Sequence, residues 1–155
     1  EQWIHMQGYV YGARMRDARP YPGVLEFFAR CVREDRKVVI ISHRTLRPFR
    51  GPDYDLHASA HDWLEHNGFH DPAKIGLPAE SVHLAPTKQE KLAKIASLGC
   101  AFFIDDLPEF LGEDAFPPST SRILFDPTGA HRADPRFHTA VSWSAIEAML
   151  AAARR

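Results

Sequence analysis

The chain has 155 residues, 45% of them hydrophobic and 25% charged, with a formal net charge of −1. That balance fits one globular domain with a substantial core and excludes disordered and fibrous classes. It also lacks the basic excess that nucleic acid or an acidic membrane surface would call for, so neither is expected as a partner.

Cys31 and Cys100 both lie inside apolar segments and read as buried, reduced thiols. The stretch given shows neither a signal-peptide pattern nor an apolar run of membrane-spanning length, and the expected compartment is cytoplasmic. It opens on Glu1 within helix-like sequence and reads as part of a longer polypeptide.

Residues 1–19 carry Trp3, Met6, Tyr9, Val10 and Met15 at roughly helical spacing, weakened by Gly8 and Gly12, which predicts one helix or two short ones. Pro22 suits the first turn of the next helix, whose apolar face is Val24, Leu25, Phe28, Cys31 and Val32. Residues 37–41 form an apolar run rich in β-branched residues, as in a buried parallel strand. His43 to Asp55 reads as a long loop punctuated by Pro48, Gly51 and Pro52. A helix over 56–66 closed by Asn67-Gly68 follows, then a short strand over 81–84.

The spacing next predicts a helix over 88–98 ended by Gly99, and a strand over 101–104 that runs into Asp105 and Asp106. A short helical turn at 109–111 precedes the Pro117-Pro118 loop. A buried strand over 122–125 ends in Asp126-Pro127, and Ser144 is placed as the cap of a last helix bearing Ile146, Met149 and Leu150. Strands alternating with helices imply an α/β fold with a doubly wound parallel sheet, without internal repeats or a second domain.

The chemistry gathers at strand ends. An apolar strand carries two adjacent carboxylates at its end only where that end meets water, a cation or a partner charge. Asp105 and Asp106 offer hard oxygens suited to Mg²⁺, and successive strand residues point to opposite faces, so the two are expected to have different tasks. Ser42 ends the first apolar strand, where its hydroxyl and nearby backbone N–H groups could bind phosphoryl oxygens. Lys88 and Lys91 lie one turn apart on the helix leading into the carboxylate strand, and either could act as a point cation for phosphate.

This order resembles the haloacid dehalogenase-like hydrolase superfamily. Val38-Val-Ile-Ile-Ser42 is similar to its second motif, the helix-opening lysine to its third, with Lys88 preferred to Lys91, and Phe103-Ile-Asp-Asp106 to its fourth. Pro22 to Phe27 also looks like the helix start ahead of the second motif, and the resemblance spans about residues 20 to 127. It implies a three-layer, Rossmann-like α/β core over residues 20–155, with residues 1–19 as the end of a small cap insertion.

The activity that the resemblance implies is a phosphatase reaction, Mg²⁺-dependent phosphoryl transfer from a small phosphorylated molecule through an aspartyl-phosphate. Ser42 and Lys88 would hold the transferring group, Asp105 and Asp106 the metal. The family's first motif, a strand ending in Asp-x-Asp that supplies the nucleophile, has no counterpart before Ser42. Asp17 has no apolar run before it, and Asp53 and Asp55 lie in a loop after the second motif. In the family that strand is central, between the strands ending in Ser42 and Asp105. It is therefore expected upstream of Glu1, and the chain by itself is expected to be inactive.

Other readings stand beside this one. His43 and Arg44 follow Ser42 and could contact an anionic substrate, as could Arg47 and Arg50. His57 and His61, at helical i, i+4 spacing, could bind zinc, although neighbouring Asp62, Glu65 and Asn67 fit a solvated surface better. A non-catalytic protein that keeps the fold for binding or regulation is the alternative to an enzyme.

Overall fold

A computed structural model of the chain describes residues 2–153, with residues 2–5 and 7 described by backbone alone. The side chain of Trp3, one of the apolar positions at helical spacing, therefore lies outside the described residues. The architecture is mixed α/β with two small parallel sheets, and the chain divides into two compact units, residues 1–87 and 88–155. No helix among the described residues is long and apolar enough to cross a membrane.

In the first unit, α1 (Gln2–Tyr11) and a 3-10 turn at Met15–Asp17 precede α2 (Val24–Arg33). Gly8 and Gly12, weak points for a helix, are where the segment is approached closely by the loop after the first strand. A Cβ on Gly12 would lie 2.4 Å from the Tyr54 Cγ, and one on Gly8 2.9 Å from the Pro48 Cβ. α2 starts at Val24, after Pro22 and a left-handed Gly23, and buries Phe27, Phe28 and Cys31. Neither Cys31 nor Cys100 is in a disulfide.

β1 (Ile40–His43) pairs in parallel with β2 (Val82–Ala85), in a register that sets Ser42 opposite Leu84. The predicted strand begins three residues earlier, at Lys37, but β2 begins at Val82 and leaves that part without a ladder partner. Between the strands runs α3 (Leu56–His66), opened by Asp55, whose carboxylate accepts the Ala58 N–H at 2.8 Å. It closes at Gly68, whose φ of 78° is left-handed, where glycine alone carries no Cβ penalty. Phe28 meets Phe69 edge-on at 5.1 Å, and Leu56, Leu64, Ile75 and Leu77 complete the buried set.

The second unit runs α4 (Lys88–Ser97), β3 (Phe102–Asp105), α5 (Pro108–Leu111), β4 (Ser121–Phe125), β5 (His138–Ala140) and α6 (Trp143–Ala152). The sheet order is β3-β4-β5, all parallel. β5 is a strand the sequence reading lacks: His-Thr-Ala has no apolar run, and its pairing with Ile123–Phe125 makes it a strand. Ile123, Leu124 and Ile146 are fully buried, and Phe103, Phe110 and Phe116 form a triangle of rings with centroids 5.7–5.9 Å apart. Among the described residues β1 has only β2 as a sheet neighbour and β3 has only β4, so each has one unpaired edge.

The cap of α6 is Ser142 rather than Ser144. The Ser142 hydroxyl accepts the Ala145 N–H at 3.2 Å, and Ser144 is already inside the first turn, 2.9 Å from the Ser142 hydroxyl. Ser142→Ala should cost about 1 kcal/mol of stability in chemical denaturation, and Ser144→Ala clearly less.

Candidate functional site

At the carboxyl end of β3 the chain must bring a strand of Phe-Phe-Ile out of the core and into a turn. Asp105 makes that turn: its Oδ1 accepts the Leu107 N–H at 3.0 Å. Its Oδ2 accepts from Lys91 Nζ at 2.5 Å. The two side chains are 8% and 6% exposed, which makes this a buried ion pair and not a surface contact.

α4 delivers Lys91 to this place because the lysine shares the helix face of Leu92 and Ile95, one and four positions further on. The ammonium also lies 4.0 Å from the Phe110 ring centroid and 5.3 Å from that of Phe103. Ring faces and a carboxylate together replace the water that a buried ammonium gives up. Lys88, preferred from the sequence because it opens the helix, turns elsewhere. Its Nζ lies 2.5 Å from Glu113 Oε1 in a half-exposed pair of the kind that contributes little.

Asp106 is exposed and makes no ion pair among the described residues. Partial burial of its carboxyl and the neighbouring Asp105 charge push its pKa above the ordinary carboxylate value. The two carboxylates thus differ, as the strand alternation implies. Asp105 is committed to Lys91 and the turn, while Asp106 has oxygens to offer.

Magnesium is held through one or two carboxylates, keeping several waters and often substrate phosphate as its other ligands. Asp106 fits that role. Asp105, with both oxygens engaged, fits a supporting one. No group of three or more metal-ligating side chains occurs among the described residues, so any remaining ligands would be water, substrate or other parts of the polypeptide.

A third strand-end carboxylate shows what a purely structural one looks like. Asp126, after β4, is 2% exposed. It accepts from the His131 N–H at 2.9 Å, the Ala130 N–H at 3.1 Å and the Thr128 hydroxyl at 3.3 Å. Those bonds, His131 first, hold its pKa below the ordinary value. It ties down its own loop.

In the first unit the end of β1 gathers Ser42, His43 and Arg44. The half-buried Ser42 hydroxyl makes no hydrogen bond among the described residues. His43 is exposed, with Nε2 3.2 Å from the Pro86 carbonyl oxygen. Arg44 continues the ladder through its N–H to the Ala85 carbonyl at 2.8 Å. His57 Nε2 lies 2.8 Å from the Arg44 carbonyl oxygen and His70 Nδ1 2.8 Å from that of Leu77, so both rings serve backbone carbonyls. Arg47 faces Asp53 at 3.4 Å.

No family model matches the chain, and comparison with curated proteins and with solved structures yields no significant match.

The geometry sets opposite signs for the two carboxylates. Removing one partner of the buried pair, by Lys91→Met or Asp105→Asn, should cost about 3–5 kcal/mol, and the double variant should recover much of that loss. An acid whose pKa is raised on folding binds more protons folded than unfolded. Stability therefore falls as pH rises from 3.8, the ordinary value, through the raised one. Asp106→Asn should accordingly melt at or above the parent at neutral pH and flatten that acid-side slope. Thermal melts of the four variants between pH 3 and 8 (roughly the carboxylate window and above) check both signs.

Proposed function

We propose that the chain is the larger part of a haloacid dehalogenase-like hydrolase that removes phosphate from a small phosphorylated molecule with the help of Mg²⁺. The observation that carries this reading is the end of β3: a lysine held in the core by Asp105, beside an unpaired Asp106 with a raised pKa. Perturbed titratable groups at the carboxyl end of a parallel strand mark the usual place for ligand chemistry in α/β proteins.

In this reading Asp106 is the carboxylate that holds the metal, and Asp105 acts by fixing Lys91. The lysine of the third motif is then Lys91 in preference to Lys88. Ser42 offers a hydroxyl and neighbouring N–H groups to phosphoryl oxygens, with His43 and Arg44 on the substrate side. Bound Mg²⁺ would supply charge neutralisation for the transferring group.

The nucleophilic carboxylate comes, in the same reading, from a strand ending in Asp-x-Asp carried by the polypeptide ahead of Glu1. The unpaired edges of β1 and β3 support this, because these are the two strands that such a segment flanks in the family. One doubly wound, three-layer sheet and a cytoplasmic location belong to the proposal as well.

One observation fits a second reading as well. Both oxygens of Asp105 are already engaged, which a non-catalytic protein using the fold for binding or regulation would equally show.

Activity separates the two. The polypeptide extended upstream should hydrolyse an aryl phosphate only with Mg²⁺, and Asp106→Asn should lower kcat by about 100-fold or more. Hydrolysis that survives both chelation and that substitution contradicts the enzyme reading, and absence of hydrolysis with folded protein favours the binding one.

A further inference from the structure

Among the charged side chains of the first unit, Arg44 has an environment that its protein neighbours leave incomplete. Its backbone is fixed on both sides: the N–H donates to the Ala85 carbonyl, and the carbonyl oxygen lies 2.8 Å from His57 Nε2. The side chain is therefore launched from a rigid point at the end of β1. Its guanidinium carbon lies 4.9 Å from the ring centroid of Tyr11, the last residue of α1, and Nη1 lies 3.9 Å from the Met15 sulfur in the following 3-10 turn.

These are soft partners. A thioether is a weak acceptor and a ring face takes one side of the guanidinium plane, so the edge of the fork, where N–H donors diverge, has no oxygen acceptor among the described residues. No carboxylate pairs with it either. The other arginines with charged contacts in this unit do find acids: Arg14 with Asp17, Arg16 with Asp62, Arg36 with Glu34 and Arg47 with Asp53. Burial lowers the Arg44 pKa below the ordinary arginine value; the Tyr11 hydroxyl works against that shift, and no carboxylate does. A partly desolvated cation without a counter-charge is costly, and is retained where something else supplies the charge.

The geometry points to Arg44, backed by Tyr11, as a receptor for an oxyanion, the carboxylate or phosphate group of a small ligand, held by the bidentate fork. This deepens the proposed function and rests on it for the reaction. Two residues beyond Ser42, Arg44 would take a second anionic group, so the substrate class is a phosphomonoester that also carries a carboxylate or another phosphate.

Binding tests this without turnover. Inorganic phosphate and, separately, acetate are titrated into the chain without Mg²⁺, following the Arg44 Nε–Hε resonance by NMR and affinity by calorimetry. At least one anion should shift that resonance saturably, and which one does identifies the group. Arg44→Met should weaken the binding about tenfold or more, and Arg44→Lys, which keeps the charge but loses the fork, should fall between. The parent resonance keeps the test valid if Arg44→Met fails to fold. No saturable shift with either anion, or equal affinity in parent and Arg44→Met, overturns the assignment. Anion binding at Arg44 without any aryl phosphate hydrolysis by the extended polypeptide overturns the phosphatase reading alone.

Discussion

The second unit is organised around one costly interaction, the ion pair of Lys91 and Asp105 sealed beneath Phe103 and Phe110. Burying an ammonium and a carboxylate gives up hydration that their mutual attraction only partly returns. The pair holds because every other partner is also in place: two ring faces for the cation, a turn N–H for the second carboxylate oxygen. Its position follows from it. α4 must present its fourth residue to the strand end, and β3 must stop where the carboxylate can reach that residue.

What the pair leaves open is as informative as what it closes. With Asp105 engaged, the adjoining Asp106 is the carboxylate without an ion-pair partner, and its raised pKa records partial burial first and the neighbouring Asp105 charge second. Asp126, one strand further on, has its carboxylate consumed by its own loop. Two strand ends of similar sequence thus differ in kind. In the first unit Arg44 has the complementary character, a cation with its backbone locked and its donors unmatched.

Much of the fold was legible in the sequence because local signals were strong. The Asn67-Gly68 closure marks the end of α3, and the apolar runs place β1 through β4 within a few positions. Boundaries slipped where pairing decides them, as at Lys37–Val39, which lack a partner opposite. β5 was illegible because three residues without an apolar run become a strand only beside β4. In the site, adjacent carboxylates announced themselves, whereas Lys88 and Lys91 share one helix face a turn apart, and the choice between them depends on which turn of α4 meets Asp105. The bare fork of Arg44 was beyond sequence reasoning, since it depends on what Tyr11 and Met15 bring near.

The most direct measurement of the central claim, phosphoryl transfer through an aspartyl-phosphate, is a covalent trap. The polypeptide extended upstream is incubated with a labelled phosphomonoester and Mg²⁺, quenched in acid, and tested for label that hydroxylamine removes. A Mg²⁺-dependent, hydroxylamine-labile label on an aspartate ahead of Glu1 is the predicted result. Hydrolysis that proceeds with no covalent label, or label on a residue other than an aspartate, would contradict it.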